Sequence, residues 1–378
     1  MHYFYFLSLI PIVVALVFSQ KRAVVWWEVV VSTALVFAVA GAFHWGAIRS
    51  QTGDYETWSG VITRGVHYPR WVEEETHQVT DYDSKGKAKG SHTEHTYTTH
   101  SEHWEAETSI GDKHEIASAF FAQITERFKD LTTETPYKTG FYSGDRHIYV
   151  AYNRSGFVYP INGWKSFQNR LRAQPNLFQF AKPPATVRVY DYPANKDWLL
   201  SDRLVGPIRS KVDSREFELM NARLGPAKRV NVILVGFKGQ DSSIGQYQQA
   251  AWFGGRKNDL VLCFDADGDT PQWAYCFGWT EREDVKRNLE ALAMESGVNT
   301  ASLPAIEKEI ATNYVIKNWH KFDYISIPPP TWAMWWFPVA LIITQGLYWF
   351  WAFNNEFESS PFAGVAARVR TFNARYPR

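Results

Sequence analysis

Among 378 residues there are only two cysteines and four methionines. Two thiols are too few for a disulfide framework or a four-thiolate zinc site. Neither sign of charge is in excess: 40 Lys and Arg stand against 39 Asp and Glu, a formal net charge of +1. A chain so balanced has no electrostatic footprint for coating nucleic acid, and no nucleic-acid partner is expected. Also missing are GxSxG, HExxH, Walker, GxGxxG and CxxC patterns. That removes the ready-made nucleophile elbow, zincin, P-loop, dinucleotide and dithiol chemistries. No repeat or long low-complexity run interrupts residues 44–330.

Aromatic residues are what the chain has in plenty: 17 Trp, 19 Tyr and 25 Phe, far above a disordered composition. Apolar residues gather in three nearly charge-free runs, Tyr3–Ser19, Ala23–Phe43 (interrupted only by Glu28) and Thr331–Phe353. About 20 apolar residues in a helix cross a ~30 Å hydrocarbon core, so all three runs are read as transmembrane helices. Trp26, Trp27, Trp45, Trp332, Trp335, Trp336, Trp349 and Trp351 sit near their ends, as an interfacial belt requires. The first run is not read as a cleaved leader, because Lys21 and Arg22 follow it and no basic residue precedes it. Lys21–Arg22, and Arg368, Arg370, Arg375 and Arg378 in the tail, then face the cytoplasm by the positive-inside rule. Glu28 is expected to snorkel toward the Lys21–Arg22 hairpin rather than serve a proton relay.

The expected organisation is two membrane helices within 1–43 (spans 3–19 and 23–43), then a β-rich extracytoplasmic region over 44–183. An α/β domain follows at 184–327, then a third membrane helix at 331–353 and a basic cytoplasmic tail at 354–378. The fold class is thus a membrane-anchored α+β protein with its large domain outside the cytoplasm, in the periplasm or at the cell exterior; the expected location is a bacterial inner membrane with that domain periplasmic. In the β-rich region strands are expected near Tyr55–Val66, Trp71–Tyr82 and His92–Thr108, a helix over His114–Lys129, and a short helix capped by Asn162. Beyond it, Ser214–Leu224 reads as a helix stopped by Gly225–Pro226. Val230–Phe237 and Asp259–Phe264 read as buried strands, and Thr280-x-x-Glu283 as a capping box.

The run from helix to VNVILVGF, to a helix ending WFGG, then RKNDLVLCF and WAYCFGWTE resembles the TPM domain, a small α/β module. Trp252, Gly254, Asn258, Leu260–Leu262, Gly278, Trp279 and Glu281 carry the resemblance over about Ser214–Ser296, while Asp259 departs from the usual glycine. It implies an α/β sandwich held outside the cytoplasm. More broadly the chain resembles membrane proteins of tailed phages and their bacterial hosts. In these a terminal helix pair, a Cys/His-rich hairpin region, a VYDY segment (Val189–Tyr192) and a GGxKND-like turn recur. That resemblance implies no activity. Some TPM relatives have been proposed as phosphatases, so one reading makes the protein a cation-assisted hydrolase using Asp259, Asp265 and Asp269. The leading reading is an interaction or assembly module, with the lipid bilayer and a protein of the membrane or periplasm as partners.

Seven of the eleven histidines lie between His67 and His114. His92, His95, His100 and His103, with His77 before them, are candidate ligands for zinc or another divalent cation; the alternative is a solvated polar hairpin. On one continuous strand, parity puts His95 and His103 on one face and His92 and His100 on the other. Asp265, Asp267 and Asp269 suggest a weak cation loop, although Asp-Gly between strands is a turn signal first. Cys263 and Cys276 are a disulfide candidate if the turn centres near Gly268–Thr270, which would set them directly opposite. The alternative is two small buried hydrophobes.

Overall fold

The computed structural model describes residues 26–135, 141–174, 183–184, 187–193, 197–199 and 201–354, with Phe4 and Val13. In chain order the elements begin with helix α1 (Trp26–Thr52) and strands β1 (Gly53–Tyr68), β2 (Trp71–Tyr82), β3 (Ala88–His100), β4 (His103–Thr108) and β5 (Lys113–Ile116). Helix α2 (Ser118–Phe128) and strands β6 (Leu131–Glu134), β7 (Phe141–Gly144), β8 (Ile148–Tyr152) and β9 (Pro160–Gln168) complete the β-rich region. Then come β10 (Leu204–Val205), α3 (Ser214–Lys228), β11 (Asn231–Phe237), α4 (Ser243–Ala251), β12 (Asp259–Asp265) and β13 (Ala274–Gly278). Helices α5 (Asp284–Ser296), α6 (Leu303–Asn313) and α7 (Thr331–Asn354) close the described chain.

The chain divides into two compact units, one from Met1–Asp54, Phe167–Leu177 and His320–Arg378, the other from Tyr55–Ser166 and Phe178–Trp319. In the first, α1 and α7 lie against each other through Val36, Ala40, Ala47, Ala333, Phe337 and Leu341. Small residues let the helices approach closely, and Ser32 donates to Gln345 Oε1 at 2.5 Å within the seam. Trp27–Thr52 and Thr331–Ala352 are each long and apolar enough to cross a membrane. Two such helices are present among the described residues rather than three. The expected first span, the Lys21–Arg22 hairpin and the tail beyond residue 354 lie outside those residues. Glu28 is fully buried, the Tyr348 hydroxyl donates to its backbone carbonyl at 2.9 Å, and the hairpin it was expected to reach lies outside the described residues.

Among its described residues the second unit holds three sheets. The α/β part is a four-stranded sheet, β10-β11-β12-β13, parallel except for the last strand. Every residue of β11 and β12 is buried, which explains their near-continuous apolar sequence: both faces are covered. Val232, Leu234, Leu260 and Leu262 meet α3, α5 and α6 through Phe217, Met220, Leu289, Ile306 and Ile310. The alternate residues Ile233, Val235, Val261 and Cys263 meet α4 through Ile244 and Trp252. A six-stranded sheet of order β5-β4-β1-β8-β6, with β9 also on β1, wraps α2 through Phe121, Ile124 and Phe128. The third sheet, β3-β2-β7, is a long ribbon with a short strand at its base.

Several expectations are corrected. His92–Thr108 is not one strand: it breaks at Ser101–Glu102, and the two pieces join different sheets. Asn162 caps no helix; it lies in β9 and accepts from Arg203. Gly225 does not stop α3, which runs on to Lys228 and ends at Arg229 in the left-handed region. Gly225 instead permits contact, since a Cβ there would lie 2.6 Å from the Ser59 carbonyl oxygen. Thr280 forms no capping box; its hydroxyl donates to Val315 O at 2.9 Å while Glu283 begins α5 without a side-chain cap.

The cysteines are also corrected. Leu262 faces Cys276, and Cys263 faces Tyr275, so the register is one residue away from opposition. That slip puts Cys276 on the α5 face and Cys263 on the α4 face. Both are free and buried, and burial pushes both thiols up in pKa. They are the small hydrophobes of the alternative reading.

Candidate functional site

The ribbon β2–β3 is the chemically richest surface. Thr, Tyr and Val favour extended backbone, and Asp83 closes the turn by accepting from the amides of Lys85 and Lys87 at 2.8 and 2.9 Å. From Glu75 to Tyr82, and from Ala88 to Thr99, every residue is exposed. At about 3.4 Å per residue the arm is about 40 Å long. A two-stranded hairpin on its own is marginal in water, so its base is clamped. Trp71 stacks on His100 with centroids 3.9 Å apart, and β7 pairs with Trp71–Glu74.

Along the arm each histidine sits beside a carboxylate. His92 Nδ1 is 2.9 Å from Asp81, His95 Nδ1 is 2.6 Å from Glu74, and His100 Nε2 is 3.1 Å from Glu73. His77 Nε2 lies 3.6 Å from Glu75. The first three pairs are diagonal neighbours in the β2–β3 register, the geometry in which long side chains still meet. Tyr97 donates to Glu74 at 3.1 Å, and that bond raises its phenol pKa.

This arrangement does not gather the candidate metal ligands. His77, His92 and His100 share one face of the ribbon and His95 the other. His103 belongs to β4 in another sheet, stacked on Tyr68. Eight residues separate His92 from His100, about 26 Å along a strand, which no single ion spans. Among the described residues no three His, Cys, Asp or Glu side chains converge for a metal.

The aspartate loop is likewise internally committed. Asp265 accepts from the amides of Asp267 and Gln272, and Asp267 from Gly239 at 2.6 Å. The Lys211 ammonium donates to the carbonyls of Ala266 (3.1 Å) and Gly268, so a side-chain cation already serves the carbonyl side of the turn. Asp259 and Asp265 stand at opposite ends of β12, about 20 Å apart. The three carboxylates of the hydrolase reading therefore do not form one site.

What the structure does assemble is a buried polar seam between the β-rich and α/β parts of this unit. Arg203, 2% exposed, donates to Ser59 Oγ (2.5 Å), Asn231 Oδ1 (3.0 Å), Asn162 and Glu218. Asn231 passes the chain on to Asp259 Oδ1 at 2.8 Å. Asp259 Oδ2 accepts from the Tyr192 hydroxyl and the Arg256 amide, both at 2.8 Å. Burial raises the Asp259 carboxyl pKa, against the pull of those donors. Tyr192 is half-buried as a residue, and burial of its hydroxyl pushes its pKa well up.

Three consecutive turn residues then meet three consecutive residues of β1. The Arg256 guanidinium lies 3.4 Å from the Tyr55 ring centre and 3.9 Å from that of Tyr192. Lys257 pairs with Glu56 at 3.2 Å, and Asn258 donates to Thr57 O at 2.6 Å. The VYDY segment and the RKND turn, singled out separately in the sequence, are thus two sides of one contact. Arg203 and Glu218 carry no such signal. A cleft of about 460 Å³ lies beside the carboxyl end of β11, between Arg188 and Lys238, at the end of the parallel strands where ligands collect in open α/β sheets.

Compared with protein-family models, curated proteins and solved structures, the chain matches none.

Proposed function

We propose that the protein is a membrane-anchored interaction or assembly module in which the β2–β3 arm makes the contact. The observation that carries this reading is an arm about 40 Å long that contributes nothing to any core: it is exposed along both strands beyond its clamped base. A segment that costs ordering entropy and buries no apolar surface has its return in contacts elsewhere. Two helices of membrane-crossing length and apolarity support anchoring. The basic residues Lys21, Arg22, Arg368, Arg370, Arg375 and Arg378 support a cytoplasmic hairpin and tail, with the large unit in the periplasm and a third span at 3–19.

The test is a photo-reactive amino acid at Val79 or Tyr97, both exposed, in the full chain in its own membrane. Discrete cross-linked adducts at these positions, absent from the same probe at exposed Trp164, are the expected result. No adduct at either arm position would sink the reading. Orientation is checked by alkaline phosphatase fused after Gly239, expected active, and after Ala367, expected inactive.

A further inference from the structure

We propose that the arm's partner is a second copy of this chain, with β3 of one copy adding to the outer edge of β2 of the next. This deepens the interaction-module reading and rests on it. Two observations point to it: both ribbon edges are open, and they carry opposite charge.

In the sheet order β3-β2-β7, β3 is terminal, so its outer backbone groups meet no strand among the described residues. On β2 the outer edge is covered by β7 only at Trp71–Glu74, leaving Glu75–Tyr82 open. An exposed edge is a row of unpaired amides and carbonyls ready to take another strand. Trp71–Asp83 carries five acids, Glu73, Glu74, Glu75, Asp81 and Asp83, with no Lys or Arg. Ser84–His100 carries Lys85, Lys87 and Lys89 against a single acid, Glu94, with three histidines besides.

Charge then selects among the possible pairings. Two β2 edges would set acid against acid, which costs free energy for directly opposed like charges. Edge lysines block addition of a like edge, but against an acidic edge the same lysines favour it. If the register inside the arm (Thr76 with His95, Val79 with His92) is repeated between copies, Lys87 and Lys89 come beside Asp81 and Asp83. Such a contact is heterologous, head to tail, so it builds a closed ring or an open row rather than a two-fold dimer.

Because both native thiols are buried, single engineered cysteines report the contact cleanly. Gln78 and Thr93 face each other within one arm, so the substitutions go into separate chains with different tags. Full-length Gln78→Cys and Thr93→Cys chains, mixed in detergent and oxidised, are expected to give a covalent dimer containing both tags. Neither variant alone should give one. Adding Lys87→Glu and Lys89→Glu to the Thr93→Cys chain, or raising salt to about 0.5 M, should lower the yield roughly tenfold, as screening of exposed charges requires. Absence of the mixed dimer, or equal self-dimers from each variant alone, overturns the proposal. If arm photo-adducts then have the mass of a different protein, the interaction-module reading survives this failure; if there are none, both fall.

Discussion

The central strands of the α/β part, seven residues each, and the strands of the arm, 12 and 13 residues, use their side chains in opposite ways. β11 and β12 are buried at every position and touch helices on both faces. β2 and β3 beyond the clamped base are exposed at every position. Apolar area removed from water holds the first pair, at about 25 cal/mol per Å². Backbone pairing and exposed His–carboxylate contacts hold the second, and such contacts are each worth about 0–1 kcal/mol. Disturbance should therefore be costly in one region and nearly free in the other.

The largest effect is expected at the polar seam. Arg203→Met leaves Glu218, Asn162 and Asn231 without their buried donor, a loss of about 3–5 kcal/mol. Denaturant unfolding of the full chain in detergent, followed by tryptophan fluorescence, measures it; a shift under 1 kcal/mol would mean the seam is not load-carrying. Gly225→Ala should cost about 1–3 kcal/mol by the same assay, because its Cβ would lie 2.6 Å from Ser59 O.

A pH experiment comes next. Burial raises the Asp259 carboxyl pKa in the folded state. A raised acid pKa gives a contribution that is full below the ordinary carboxylate value of about 3.9 and is lost as pH rises through the folded value. Wild-type stability relative to Asp259→Asn, which cannot ionise, should therefore decline from about pH 4 upward. Parallel stability–pH curves for the two chains would contradict the assignment. The smallest effect belongs to the arm. Replacing Glu75–Thr96 by Asn-Gly joins Glu74 to Tyr97, residues that already face each other, and supplies a favoured two-residue turn. The unfolding midpoint should move by no more than about 0.5 kcal/mol equivalent. A loss comparable to Arg203→Met would erase the distinction between the two regions.

The same contrast governs what could be read from the chain before its structure. β11, β12 and β2 were legible because long apolar or β-branched runs are local signals. The break between β3 and β4 was not, since parity along His92–His103 assumes one strand and nothing in Ser101–Glu102 marks a change of sheet. The thiol register failed by one residue for a comparable reason. Asp265 donates its amide to Trp273 O and accepts from Asp267 N, and the pairing centres on Asp269, half a position short of the centre that would set the thiols opposite. The seam was half legible: the VYDY and RKND segments stood out, but Arg203, Glu218 and Ser59 are brought to it by tertiary packing alone. Asn162, an apparent helix cap, is one of the acceptors Arg203 needs.

The contact between Asn258 and Thr57 joins residues 201 apart in sequence, and this bears on how the protein comes into being. During synthesis at about 5–20 residues per second, Tyr55–Thr57 emerges on the order of 10–40 s before the turn that meets it. The later half of β1 has nearer company, pairing with β4 from Ile62 with Thr108 to Tyr68 with His103. Folding should accordingly run in two stages, an early N-terminal sheet and a slow final docking, because distant contacts must meet the full entropy of loop closure first. A chain stalled on the ribosome before Arg256 would carry a formed β1–β4 pair and a strand start still waiting for its partner.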